Sequence, residues 1–284
     1  MSPGARFDYT TVGHVTIDVL PDGTRRPGGT AFYSALQASR LGLRALVLTR
    51  GVVPEIERLL EPYRTELELE IQPAEQTTTL RTSGSGATRR QHLLAWAGPV
   101  EGAPSLDTSI LHLAPVARES PRRWRGEARF VGLTPQGLVR EWPAGGGEIS
   151  LAAADPAAFP QRCDALVLSE VEQVSCAELV SQSRRAGAVV AVTAGHRPTA
   201  VHPPGGGTLH VPTPATGETG DDIGAGDVFA AAFFIALREG QPAPDAAAFA
   251  AAAAALRIAG SGTSAIVGRS AIEALVHAGA GLTS

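Results

Sequence analysis

A chain of 284 residues with 44% hydrophobic content and a net charge of −4 can fill a complete core, and it lacks the basic surplus that follows a phosphate backbone, so no nucleic-acid partner is expected. All 24 basic residues are arginine. The absence of lysine excludes the Walker-type P-loop, the strand lysine of protein kinases and Schiff-base catalysis.

Two cysteines, Cys163 and Cys176, read as reduced thiols rather than a disulfide framework. The first residues show no charged stretch leading into an apolar run, and the apolar runs 228–237 and 246–256 are too short for a bilayer. A cytoplasmic protein with no membrane partner is expected.

The first strand is expected over 9–20, followed by the turn Pro21-Asp22-Gly23. Arg26-Pro27-Gly28-Gly29-Thr30 then opens a helix over 31–41. A core strand over 46–49 and a helix over 54–60, with proline in its first turn, complete a β-loop-α-β opening. Residues 66–98 differ in character. Glu66-Leu67-Glu68-Leu69-Glu70-Ile71 alternates charged and apolar side chains, and 77–82 and 89–96 flank the polar turn 83–87. The segment reads as a small antiparallel sheet that could cover a cleft, although alternation also suits a solvated edge of the main sheet. The α/β rhythm resumes with strands over 110–113, 130–133, 165–168 and 189–193 and a helix over 171–185. Short strands over 200–202 and 208–211 precede three helices, over 227–239, 245–258 and 270–277. The alanine run 251–255 fits a tightly packed helix.

Chemistry concentrates in Gly220-Asp221-Asp222-Ile223-Gly224-Ala225-Gly226-Asp227, a glycine-rich turn leading into an apolar helix. A helix start offers unpaired N–H groups and the positive end of the dipole to an anion, and glycines let the backbone come close. Phosphoryl transfer needs such a surface, because charge builds on the equatorial oxygens. An aspartate at the helix start can take the proton of an acceptor hydroxyl. It can equally be an ordinary helix cap. The position late in the chain disfavours a dinucleotide fingerprint.

These residues resemble the Asp-Thr-x-Gly-Ala-Gly-Asp signature of the ribokinase-like (PfkB) carbohydrate kinases, and further motifs follow in that family's order across nearly the whole chain. Gly13 to Asp18 is similar to its Gly-x4-Asp, and Gly28-Gly29-Thr30-Ala31-Phe32-Tyr33-Ser34-Ala35 to its Gly-Gly-x-x-x-Asn-x-Ala. Gln136 to Arg140 stands where many members carry a substrate-side arginine element. Ser169-Glu170-Val171-Glu172 is similar to Asn-x-x-Glu, and Thr193-Ala194-Gly195 to Thr-x-Gly.

The resemblance implies a three-layer α/β/α core with a mostly parallel sheet, forming one domain over 1–284, with a β lid from 14–26 and 66–98. It implies ATP-dependent phosphorylation of a hydroxyl of a sugar or cyclitol. Asp227 would be the base, and Gly224, Ala225 and Gly226 the anion hole. Asp18, Gly28, Gly29, Tyr33, Gln136 and Arg140 would face the acceptor. Ser169, Thr193 and Gly195 would face the nucleotide, and Glu172 would organise Mg²⁺ through water. Asp221 would lie near the monovalent cation (K⁺) site that some members possess. Two copies could pair through the exposed lid sheet.

Tyr33 stands where ribokinases proper have a sugar-binding asparagine, which argues against ribose. Ser169 replaces asparagine, and Asp222 and Ile223 replace a hydroxyl-bearing pair. Tyr33, His112 to Val116 and Leu133 to Gly137 with Arg140 are similar to the branch with plant myo-inositol kinases. A nucleoside kinase and a non-catalytic ligand-binding protein on the same fold are the competing readings. Arg90 and Arg89 are expected to be solvated, Trp124 and Trp142 to pack, and the scattered histidines to hold no zinc.

Overall fold

The computed structural model describes residues 6–84, 90–215 and 221–280, so Arg89, most of the 83–87 turn and Gly220 lie outside the described residues. In chain order the first elements are β1 (Phe7–Val12), β2 (Thr16–Val19), β3 (Arg25–Gly28), α1 (Thr30–Arg40), β4 (Ala45–Gly51) and α2 (Val53–Leu59). There follow β5 (Leu67–Pro73), β6 (Thr79–Ser83), β7 (Arg90–Ala95), β8 (Ser105–Leu113), β9 (Arg125–Leu133), β10 (Arg140–Glu141), β11 (Gly147–Glu148) and β12 (Ser150–Leu151). The last part holds β13 (Ala165–Ser169), α3 (Glu170–Gln173), α4 (Ala177–Arg185), β14 (Val189–Ala194), β15 (Arg197–His202), β16 (Leu209–Val211), α5 (Ala225–Arg238), α6 (Ala243–Ala259) and α7 (Arg269–Ala280).

The main sheet has nine strands in the order β16-β15-β14-β13-β9-β8-β1-β4-β5. From β14 to β5 every pairing is parallel, and only the pairings of β15 with β14 and with β16 are antiparallel. Side chains alternate between its two faces, as a pleated strand requires. In β13, Ala165 and Val167 join the core beneath α1, α2, α5, α6 and α7, while Leu166 and Leu168 pack with Leu179 of α4 and Phe159 on the other face. These are the three expected layers. Alanine on α5 and α6 keeps the first layer thin: Ala230, Ala231, Ala250 and Ala252 are wholly buried.

Three expectations change. The single strand over 9–20 is two strands in different sheets. The N–H groups of Gly13, His14 and Val15 bond to the Leu48 carbonyl, the Glu119 carboxylate and the Thr49 hydroxyl, so the ladder of β1 ends there and the chain crosses into the lid. The alternating segment at 67–73 is not lid. As β5 it forms the edge of the main sheet, parallel to β4, with Leu67, Leu69 and Ile71 on the helix-covered core and Glu68 exposed. The helix over 171–185 is broken into α3 and α4, because the Ser169–Glu172 capping box closes a short first turn and Val171 and Val174 stay in solvent.

The other segments expected to form a lid lie in a second sheet, named the lid sheet after that expectation, of five strands in the order β11-β7-β6-β2-β3. It is mixed rather than antiparallel, since β2 and β6 pair in parallel. It also recruits β11, which has no strand signal in the sequence because it is a two-residue pairing on β7.

Candidate active site

The carboxyl ends of the parallel strands and the inner face of the lid enclose a cleft of about 790 Å³. Ligands in open α/β sheets settle at this end of the strands. Ser169 ends β13, Thr193 lies near the end of β14, and Thr134 follows β9; all three line the cleft. The start of α5 closes the floor with Gly224, Gly226 and Asp227.

Gly224 caps α5 in the left-handed region at φ 82°, and a Cβ there would stand 2.6 Å from the Tyr33 ring. Only glycine serves both constraints. Asp227 sits in the first turn, where a carboxylate favours the helix dipole. Burial nevertheless pushes its carboxyl up to about 6; Glu172 and Asp18 add to the rise, while the Thr30 hydrogen bond and Arg140 oppose it. A relay fixes the carboxylate. Arg140 Nη2 donates to Gln136 Oε1 at 2.8 Å, and Gln136 Nε2 donates to Thr30 Oγ1 at 2.6 Å. With its oxygen accepting from Gln136, the Thr30 hydroxyl is directed to donate to Asp227.

On the lid side Asp18 is buried on β2, and burial raises its carboxyl above the ordinary range. Thr16 Oγ1 donates to Asp18 Oδ1 at 2.8 Å. Gly28 makes room for it: a Cβ at Gly28 would stand 2.1 Å from Asp18 Oδ2. Tyr33 and Gly29 line the same wall, and the Tyr33 phenol is pushed up to about 12, chiefly by burial. Arg140 reaches the wall, yet its guanidinium also bonds the Val116 carbonyl at 3.0 Å and Gln91 Oε1 at 2.6 Å. Much of its donor capacity therefore holds the wall together.

At the far end Ser169 and Glu172 form one unit, Glu172 Oε2 accepting from both the N–H and the hydroxyl of Ser169 at 2.8 Å. No cluster of three or more metal-type ligands occurs among the described residues. Glu172 at this end of the cleft would suit Mg²⁺, which keeps most of its waters and leans on substrate phosphates.

The tertiary structure thus brings together Asp18, Gly29, Tyr33, Gln136, Arg140, Ser169, Glu172, Thr193, Gly224, Gly226 and Asp227. Four expected residues do not line the cleft. Gly28 backs Asp18. The Ala225 N–H is taken by the Asp222 carbonyl at 3.2 Å, inside the turn, so of the three expected N–H groups this one does not face the cleft. Gly195 lies at the β14–β15 turn at φ 63°. Asp221 lies behind the glycine turn, bonded to Arg26 Nη1 at 2.8 Å. Thr30, Gln91, Thr134 and Glu148 line the cleft without having been singled out, since their roles arise from neighbours distant in sequence. Trp142 packs against Trp96 with ring centroids 5.8 Å apart, and Trp124 against the second core face, as expected.

Residues 154–267 match the model of the pfkB family carbohydrate kinases, phosphotransferases with a hydroxyl group as acceptor. No curated protein matches the sequence. Among solved structures the fold is similar to a nucleoside kinase of Methanocaldococcus jannaschii (17% identity, 97% of this chain and 99% of that one, TM-score 0.73). It is similar to the Arabidopsis thaliana ribokinase complexed with ribose and ATP (17%, 95% and 98%, TM-score 0.71). A pyrophosphate-dependent kinase in the ribokinase family, complexed with a pyrophosphate analogue and myo-inositol, is also similar (21%, 94% and 99%, TM-score 0.72). No helix among the described residues is long and apolar enough to cross a membrane.

Proposed function

We propose that the chain phosphorylates a hydroxyl of a sugar or cyclitol with ATP, Asp227 acting as general base. The observation that carries this reading is the Asp227 carboxylate on the cleft floor at the start of α5, fixed by Thr30 and shifted to about 6. A base with that affinity is ionised at neutral pH and still takes a proton from an alcohol in the transition state. Asp18 from the lid holds acceptor hydroxyls. The donor lies along Ser169 and Thr193, its terminal phosphoryl facing the N–H groups of Gly224 and Gly226. Mg²⁺ beside Glu172 would neutralise charge on the donor phosphates. The acceptor oxygen attacks the γ-phosphorus in line as Asp227 receives its proton, the bond to the bridging β–γ oxygen breaks, and ADP leaves on the Ser169 side.

Tyr33 in place of an asparagine supports a cyclitol over ribose. The myo-inositol-bound pyrophosphate-dependent kinase of the same fold gives the donor a second candidate. Coupled product assays over sugars, cyclitols and nucleosides, each with ATP and with pyrophosphate, test the reading. Turnover should fall as pH drops through about 6, because protonation removes the base. Ligand-dependent thermal stabilisation without turnover on any pair would instead support a non-catalytic binding protein.

Acceptor binding is also expected to slow hydrogen exchange in β2, β3 and β6, which carry or flank Asp18, and to leave β5 unchanged. Mass-spectrometric exchange with and without saturating acceptor measures it. Equal protection in both states would sink the role of this sheet as a lid.

A further inference from the structure

Behind the glycine turn lies a buried cation that the reaction as described does not use. Arg257 projects from the C-terminal part of α6, and its side chain has no exposed surface (0%). Its Nη1 donates to the Asp221 carbonyl at 2.9 Å and its Nη2 to the Ile223 carbonyl at 2.7 Å; Asp221 Oδ2 stands 3.4 Å from Nη2. Asp221 Oδ2 also accepts from Arg26 Nη1 on β3, and Asp221 Oδ1 accepts from the Ile223 N–H at 2.9 Å. A buried guanidinium is costly unless paired, so this one is held by the oxygens of the turn it grips.

The grip has a direction. In a trans peptide the C=O and the following N–H point opposite ways. Drawing the carbonyls of Asp221 and Ile223 toward Arg257 therefore turns the N–H groups of Asp222 and Gly224 away from it, and both of these residues line the cleft. Two carbonyls and a carboxylate are also the oxygen set a monovalent cation would take. They do not fit one here: all three oxygens already accept from arginine, and an added cation would stand beside two guanidinium groups.

We propose that Arg257 is a positioning residue, a fixed cation that orients the anion-binding turn and makes the protein independent of K⁺. The proposal rests on the kinase reading for its rate consequences, but its ion consequences can be measured without turnover. Wild-type melting temperature and rate should be the same in potassium, sodium and tetramethylammonium chlorides at equal ionic strength. Arg257→Ala should lower kcat by about 10²-fold, the scale of losing an oriented anion donor, with acceptor KM little changed. Its melting temperature and rate should rise on adding K⁺ or guanidinium, relative to tetramethylammonium. If the alanine variant does not fold, Arg257→Lys, which keeps a charge, is compared with Arg257→Met, which keeps only the bulk; the lysine variant should retain more rate. Potassium-specific activation or stabilisation of the wild type would overturn the proposal. So would a folded Arg257→Met variant with wild-type kcat, since the side chain would then only fill space. Failure of every acceptor would count against the kinase reading, while the ion-dependent melting of wild type and variant would still decide the role of Arg257.

Discussion

Asp227→Asn is expected to reduce turnover by about 10²–10⁴-fold and, at pH 7 to 8, to make the protein more stable. The two effects share a cause. The carboxyl is raised from 3.8 to about 6, chiefly because burial penalises its charged form. The folded state therefore binds a proton more tightly than the unfolded chain, so the stability contributed by this group is full below pH 3.8 and is lost as pH rises to about 6. At neutral pH the folded protein carries an ionised carboxylate in a poorly solvated place. Asparagine keeps the size and the acceptor for Thr30 but not the charge, and removing the penalty should return about 1–2 kcal/mol, allowing for water in the cleft. Thermal unfolding of both proteins at pH 8 and pH 4, beside steady-state rates, measures it. The gain in melting temperature should shrink toward pH 4. An Asp227→Asn protein that keeps its rate would leave Asp227 as no more than a helix cap.

Gly224→Ala should be strongly damaging to both stability and rate. Its φ of 82° is a region where an L-residue with a Cβ loses about 1–2 kcal/mol. The new methyl would also lie 2.6 Å from the Tyr33 ring, and overpacking of that kind costs about 1–3 kcal/mol. The ring cannot retreat easily, because Tyr33 packs against Phe32 with centroids 5.2 Å apart and is almost wholly buried. Relief would have to come from the turn, which would swing the Gly224 N–H away from the cleft and lower kcat by about 10²-fold. Denaturant unfolding and kinetics of Gly224→Ala, alone and with Tyr33→Ala, separate the two causes. The smaller ring-less side chain should restore the packing part of the stability but not the backbone part. A Gly224→Ala protein as stable as wild type would contradict the strained geometry.

Much of the architecture was legible because it rests on local pattern. The short apolar strands, the alanine-rich helices and the glycine turn before α5 all follow from periodicity and turn chemistry. The reading failed where pairing partners decide. Residues 67–73 alternate just as a lid strand would, and only the parallel edge of β4 claims them for the main sheet. The run over 9–20 is rich in strand-forming residues, but the Glu119 carboxylate and the Thr49 hydroxyl take the N–H groups of His14 and Val15 and end the ladder of β1. The short strand β11 exists only because β7 is beside it.

The candidate site divides along the same line. Residue type and spacing alone single out Asp227 and its glycines, because a phosphate-facing turn and a carboxylate base have local signatures, whereas Asp18 and Glu172 are marked only by the family resemblance. The relay from Arg140 through Gln136 and Thr30 to Asp227 joins residues far apart in the chain, and no local pattern marks it. The placement of Arg257 against the back of the turn is likewise a matter of packing α6 on α5. The sequence by itself determined which groups could do phosphoryl chemistry, since it sets their identity and the backbone freedom around them. Only the tertiary structure decided that Asp227 carries a raised proton affinity and that arginine occupies the place beside Asp221, because burial and charge neighbours arise from contacts between distant segments.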